Sequence, residues 1–476
     1  HTLDAAGQKM SKSLGNFVSP EDVIARFGRD ALRFYELQRT VWEDFRFSWD
    51  AVEEASSTLK VTWNVFAFAS LYMNLDSFDP NKWPLAKVSR NMRREDRWLV
   101  SKTESLKATV TNALESFEIH TVARALNDFI LNDLSHWYVR LVRRRFWQEK
   151  ESRDKMAAYV VLYYALRNWL VLSSPIIPFA TEKMYQTMVR PAERRSTESI
   201  HMNDWPRLQS RWLDKRLEEE MEMAKEVTSA IAAARQSLKI KLRQPVQKTI
   251  IVTDNPKVKG AIKKLERLVH EQANTGKIEF LTVDEEKRLE RIVGAARYEA
   301  LGPTFKEETK TVADVIKRTD GKVILDNFRK TGYHYIDLAG RQVKILPSMV
   351  SFREEMPEGY ASGTFSQGRA YVQAALSKSL VLEGLVRDVV RRLQEMRRRM
   401  DLPVDRFVDV YILCPTRDDV RGLKRRYAYI KEEVRANRFE AKSALEKPTL
   451  RAELEETWTI SGRAYKMGMA STKGKR

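Results

Sequence analysis

The sequence predicts a mainly α-helical chain with an α+β part toward its C-terminal end. Between about residues 60 and 210, apolar side chains recur close to a 3.6-residue period, the mark of helices with one buried face. Beyond residue 240 the character changes. β-branched runs at Val246–Val252 and Ile278–Val283 alternate with helical stretches, as in an α+β module. With 476 residues, 43% of them hydrophobic, and eleven tryptophans, the chain can bury several cores, roughly two to four domains.

The first element is Lys9-Met10-Ser11-Lys12-Ser13, followed by Leu14-Gly15-Asn16. Two ammonium groups three positions apart, among small side chains and ahead of a glycine, suit a polyphosphate. Each is a compact charge with three donors, and Ser11, Ser13 and Gly15 let backbone amides approach the same anion. A solvated linker is the competing reading of such a stretch. Ser19-Pro20-Glu21-Asp22 then predicts a helix start, with a capping serine and proline at the first helical position, ending near Gly28. Asp30 is expected to cap the next helix, ahead of the aromatic stretch Trp42 to Trp49.

From Val122 to Leu141 the stripe Val122, Leu126, Phe129, Ile130, Leu134, Trp137, Tyr138 and Leu141 predicts an amphipathic helix. It leads into Arg140, Arg143, Arg144 and Arg145, near Trp137 and Trp147, a group suited to phosphates and splayed bases. Core packing is the competing reading for the tryptophans. The apolar run Ala157 to Ala180 carries Arg167 and Asn168 at its middle and Pro175 and Pro178 at its end, which predicts a buried helix rather than a membrane span. After the junction Pro175 to Pro206 come a charged helix at about Leu213 to Lys239, the two β-branched runs around a basic helix with Lys263, Lys264 and Arg267, and a hairpin whose turn is Ala339 to Gln342. Last come a helix from Leu382 to Met400 and a strand from Phe407 to Leu413. That helix sets a core stripe against Arg387, Arg391, Arg392 and Arg398. No internal repeat is expected, and the tail Lys473 to Arg476 is expected to be disordered.

The 84 Lys+Arg against 65 Asp+Glu leave a formal charge of +19, which favours a polyanionic partner, nucleic acid first. Cys414 is the only cysteine, which excludes an intramolecular disulfide and a four-cysteine zinc site and fits a reducing cytoplasm. The six histidines lack ligand spacing, so no structural metal is expected. With no charged n-region and following apolar segment at the start of this sequence, no secretory signal is expected. Because the phosphate loop lies so close to His1, the chain is expected to be the C-terminal part of a longer protein.

Lys9 to Ser13 with Leu14-Gly15-Asn16 resembles the KMSKS signature of class I aminoacyl-tRNA synthetases. Leu134 to Arg140, Arg143 to Trp147, and Pro175 to Phe179 with Glu182 resemble the helical anticodon-binding domain of the isoleucyl, valyl and leucyl enzymes. Leu242 to Pro245, Leu301-Gly302-Pro303 with Phe305, and Glu383 to Arg397 resemble isoleucyl-tRNA synthetases, and the missing cysteines point to the archaeal and eukaryotic type.

The resemblance implies an isoleucine-tRNA ligase: ATP-dependent formation of an aminoacyl adenylate, then transfer to tRNA-Ile. It implies ATP with Mg2+ as substrate, no structural zinc, an isoleucine pocket outside this chain and a monomer without membrane attachment. Lys12, then Lys9, would contact the ATP phosphates, with Met10, Ser11 and Ser13 forming the loop; Trp137, Arg140, Arg143, Arg144, Arg145, Arg387 and Arg391 are the candidates for tRNA. The implied domains are 1–60 (loop and stem-contact helices), 61–210 (anticodon-binding bundle), 211–300 (linker helix and first α+β module) and 301–476 (C-terminal α+β module). The alternatives are a valyl or leucyl enzyme, or a tRNA-binding protein without catalysis.

Overall fold

The computed structural model describes residues 2–40, 42–148, 152–286, 289, 291–338, 340–355, 359–374 and 378–472. His1, Ala339 of the expected hairpin turn and the tail 473–476 lie outside the described residues.

At the N-terminal end Thr2–Leu3 pairs in parallel with Phe45–Arg46, folding the lysine segment back on the chain that follows it. The helix Pro20–Phe27 forms as its cap predicts: the Ser19 hydroxyl accepts from the Asp22 amide at 3.1 Å. The next helix, Arg29–Leu37, follows Gly28 at φ +88°, and Asp30 does not cap it. Asp30 is buried, and its carboxylate instead accepts from the Phe179 and Ala180 amides at 3.5 and 2.5 Å, the start of the helix Pro178–Met184. Burial raises its pKa, against those two hydrogen bonds. Arg33 donates to the Pro175 and Ile176 carbonyls at 3.0 and 3.1 Å. The N-terminal helices are thereby fastened to the proline junction of the helical body.

The helix Trp49–Leu75 runs through the expected boundary at residue 60 and joins both regions to one core. Three further segments build that core: Arg94–Glu115, the run from Ile119 to Trp147, and Arg153–Ser173. The run from Ile119 differs from the expected plain α-helix, because Phe129–Val139 is π-helical. The reason is written in the spacing. Val122, Leu126, Ile130, Leu134, Tyr138, Val142 and Phe146 recur every fourth position, and all are fully buried. In an α-helix a four-residue step gains about 40°, which would carry the stripe off the core face. The wider π turn falls behind over the same step and cancels the drift. Arg153–Ser173 is a buried helix, and among the described residues no helix is long and apolar enough to cross a membrane.

Two four-stranded sheets follow, and they share a topology. In the first, Val246–Val252 lies parallel to Thr275–Leu281 and antiparallel to Gly368–Gln373, which pairs with Tyr360–Phe365. In the second, Phe407–Cys414 lies parallel to Ala436–Ser443 and antiparallel to Arg463–Thr472, which pairs with Leu454–Ile460. Each is preceded by a long helix, Lys215–Ser237 or Lys378–Arg399. Each parallel crossover holds a nine-residue and an eight-residue helix: Pro256–Lys264 and Glu266–Ala273, then Arg417–Arg425 and Tyr427–Val434. Both crossovers end on a left-handed residue, Asn274 (φ 49°, ψ 52°) and Arg435 (φ 52°, ψ 47°).

A buried arginine marks the same place in each. Arg235 donates to the carbonyls of Lys241 (2.7 Å), Leu242 (3.2 Å), Gln244 and Ala273 (3.3 Å). Arg397 donates to those of Pro403 (2.9 Å), Val404 (3.2 Å), Arg406 (2.8 Å) and Val434 (3.1 Å). Contrary to the expectation of no internal repeat, the chain carries the same module twice.

The boundary expected at residue 300 also gives way. It falls inside an insert in the first module, between Thr275–Leu281 and Tyr360–Phe365, which has its own core around Leu301, Ile316, Ile324 and Ile345. The insert pairs Arg291–Ala296 with Val350–Glu355 and holds the expected hairpin, His334–Leu338 against Arg341–Ile345.

Candidate functional site

The lysine segment is a compact turn. Ser11 caps a short 3-10 helix, Lys12–Leu14, with its hydroxyl accepting from the Leu14 amide at 3.3 Å, and Gly15 closes it at φ +68°, where a side chain would be strained. Asn16 ties the turn down, its Oδ1 accepting from the Ser11 amide at 3.0 Å and its Nδ2 donating to Asp4 at 2.9 Å. Asp4 in turn accepts from the Ala6 and Gln8 amides at 3.0 and 2.8 Å. The hydrogen bond from Asn16, then that from Gln8, holds the Asp4 carboxyl below its usual range.

On this base Lys9, Lys12 and Ser13 are exposed and Met10 and Ser11 half-buried, Met10 packing on the helical core. Ser13 lies 3.0 Å from Ser11, hydroxyl to hydroxyl, and Lys12 Nζ stands 5.6 Å from the Phe17 ring. Among the described residues neither ammonium has a carboxylate partner. The turn therefore presents two free cations and no free carboxylate, a surface for phosphate rather than for a metal ion. Among the described residues no cluster of histidine, cysteine, aspartate or glutamate is arranged to hold a metal.

The arginines expected to meet nucleic acid divide. Arg140, Arg143 and Arg144 are exposed and line a cleft of about 1200 Å³ together with half-buried Arg387. Arg145 borders the same cleft, but it is 3% exposed and belongs to the core: it grips Asp96 with both terminal nitrogens, at 2.8 and 2.9 Å. Tyr138 and the Arg93 amide donate to the same carboxylate at 2.7 and 2.9 Å. Trp137 is buried too, within the helical core. These two are corrected to structural roles, because periodicity does not show which arginine faces a buried acid. Arg391 is exposed and does not line the cleft.

The cleft's walls are the helix Arg140–Trp147, the second crossover helices of both modules and the helix Lys378–Arg399, which carries Arg387. Its acids are neutralised in place: Arg144 pairs with Glu433 at 3.3 Å, Arg267 with Glu271 at 2.9 Å and Arg387 with Glu383 at 2.6 Å. Arg140, Arg143 and Arg426 have no ion pair among the described residues, so the cleft is net cationic. Arg143 rests 5.6 Å from the Phe68 ring. Sequence reading missed Arg426 and His270 as lining residues; their signal was position, since both lie on the repeated crossover.

Two family models match this chain, one over the lysine turn and one over the helical body and its junction with the first module. Residues 1–48 match "tRNA synthetases class I (I, L, M and V)" and residues 96–251 match "Anticodon-binding domain of tRNA ligase". The chain thus carries a class I tRNA synthetase segment and an anticodon-binding domain of tRNA ligases.

Within that class its similarity is to isoleucine–tRNA ligases of archaea. It is 37% identical to that of Methanosarcina mazei over 98% of this chain and 44% of the relative, and 37% identical to that of Methanocella arvoryzae over 98% and 42%. Against that of Pyrococcus abyssi it is 39% identical over 92% and 40%. The chain thus spans less than half the length of the curated relatives it matches. A solved ternary complex of an Agrobacterium radiobacter K84 LeuRS with tRNA and LeuAMS overlays at a TM-score of only 0.35, with 16% identity, over 59% of this chain and 32% of that one.

Proposed function

We propose that the chain is the part of an isoleucine–tRNA ligase that grips the phosphates of ATP and the body of tRNA-Ile. The observation that carries this reading is the pair of exposed ammonium groups, Lys9 and Lys12, without a carboxylate partner among the described residues, on a turn anchored by Asp4 and Asn16. When isoleucine attacks the α-phosphate, negative charge moves onto the departing pyrophosphate. Cations already fixed there stabilise the transition state more than the ground state. Lys12 makes the principal contact and Lys9 the second, while Met10 seats the turn on the core and Ser11 and Ser13 shape it. Mg2+ rides with the nucleotide as part of the substrate, because the turn's one carboxylate, Asp4, is consumed by Asn16 and backbone amides.

While the acyl group passes from the adenylate to the terminal ribose of the tRNA, releasing AMP, the arginine cleft holds another part of that RNA. Arg140, Arg143 and Arg144 on one wall and Arg387 on another supply phosphate contacts. The test uses the protein expressed from its complete reading frame. Lys12→Ala is expected to slow isoleucine-dependent ATP–pyrophosphate exchange about a hundredfold, about 3 kcal/mol of barrier, with tRNA binding retained. Exchange at the unaltered rate would overturn the lysine assignment. Exchange driven by valine or leucine instead of isoleucine would move the chain to a sister enzyme.

A further inference from the structure

The second module meets the helical body at Trp147, among other contacts. In both modules the last carbonyl of the second crossover helix is closed from within, Ala273 by Arg235 and Val434 by Arg397. A helix end leaves several carbonyls unsatisfied, and one closure does not serve them all. In the second module the Glu433 carbonyl accepts from Gln394, again from within. The Glu432 carbonyl accepts from Trp147, whose indole N–H reaches it at 2.9 Å from the last residue of the arginine-bearing helix.

The contact is reciprocal and two-faced. Arg435, the left-handed residue that ends the crossover, donates to the Trp147 carbonyl at 3.1 Å and lays its guanidinium 4.8 Å from the indole centre. The Arg397 guanidinium stands 5.9 Å from the same ring. One turn earlier, Arg144 pairs with Glu433 and stands 5.5 Å from the Tyr429 ring. The ring belongs to the helical body, while both guanidiniums belong to the second module. It holds two walls of the cleft at a fixed separation.

We infer that Trp147 is a positioning residue for the RNA: it clasps the second module to the helix Arg140–Trp147, so that Arg140 and Arg143 on one side and Arg387 and Arg426 on the other meet the same tRNA. The inference rests on the tRNA reading above. Loss of the clasp leaves every cation in the chain but removes their shared frame, so it weakens tRNA binding and spares the lysine turn.

The test compares wild type with Trp147→Ala and Trp147→Phe in the complete protein, by hydrogen–deuterium exchange, tRNA kinetics and pyrophosphate exchange. Trp147→Ala is expected to speed amide exchange across 427–436, raise KM for tRNA about tenfold and leave pyrophosphate exchange unchanged. Trp147→Phe keeps the ring between the arginines and loses only the N–H, so its effect falls between. Faster amide exchange with an unaltered KM for tRNA would overturn the inference, as would a parallel loss of pyrophosphate exchange, which signals general unfolding. Should Trp147→Ala not fold, Trp147→Phe decides by the same two readouts. Wild type without isoleucine-dependent exchange would sink the proposed function, while the amide-exchange shift would still judge the clasp.

Discussion

The two α+β modules have the same strand order, the same pair of crossover helices and the same buried arginine, yet they are attached in opposite ways. The first has no boundary with the helical body. Val246, Ile251, Val258, Ile262 and Leu268 belong to the same apolar core as Trp98 and Trp169. The second has a core of its own around Val389, Leu393, Val410 and Met467, and meets the rest of the chain mainly through polar contacts at Trp147, Arg435 and the Arg144–Glu433 and Arg243–Asp388 pairs, with Val404 packing on the main core. Continuous apolar packing is non-directional and sums over area, which makes one rigid unit. A few polar contacts are directional and compete with water, so they fix an orientation while leaving the unit separable. One architecture thus serves once as an extension of the scaffold and once as a docked part.

The largest test of that contrast is the pair Arg235→Ala and Arg397→Ala. Each strands several buried carbonyls, so each is expected to cost about 3 kcal/mol or more of local stability. The consequences differ: Arg235→Ala should lower the main unfolding transition of the chain, whereas Arg397→Ala should unfold 378–472 as a separate, earlier step, seen by calorimetry or amide exchange. A single shared transition in both variants would mean that the two modules are equally embedded.

A smaller effect is expected from excising 291–355. The equivalent connection in the second module is the short segment 444–453, and the insert keeps its own core, so replacing it by a short loop should cost the first module about 1 kcal/mol. Glu286, which lies before the cut, accepts from the Tyr371 hydroxyl at 2.5 Å and stays in place. Collapse of the whole first module on excision would show that the insert props its host.

The smallest effect is acid sensitivity at one position of the repeat. Glu440 is held down to about 2: burial would raise it, but hydrogen bonds from Lys442 and from the amide and hydroxyl of Thr449 prevail. Its counterpart on the first sheet, Glu279, is lowered by hydrogen bonds from Lys248 and Lys277. For a carboxyl with a depressed folded pKa, the stabilisation is present above the unfolded value near 4.3 and is lost as pH falls through the folded value. Acidification from about pH 4 toward pH 2 should therefore loosen 444–453, which Glu440 pins through Thr449, and leave the insert in place, because Glu279 pins only its strand neighbours. Amide exchange in that window should show the asymmetry.

The lysine turn was legible because its residues are contiguous and its chemistry is local. Even the helix start at Ser19 was written in the next few residues. The cleft was not, because its walls come from segments far apart in the chain, and only folding brings Arg140 beside Arg426. Arg145 and Trp137 were misplaced for a related reason: an amphipathic stripe separates inside from outside approximately, and one buried acid, Asp96, is enough to draw an arginine inward. The repeat escaped notice because the modules share the path of the chain more than residue identity. The position of Arg235 and Arg397 at the end of a long helix, a short stretch before a β-branched strand, was the one strong trace of it.

The π-helical segment has a consequence for what this chain can change. The helical run from Val122 to Phe146 works like a vernier, with two slightly different rulers laid end to end so that their errors cancel at the far mark. Substituting one apolar side chain for another leaves the rulers intact. Deleting a single residue turns everything beyond it by about 100°, swinging Arg140 and Arg143 off the cleft and Trp147 away from Glu432. Length, more than composition, is the quantity this segment must keep.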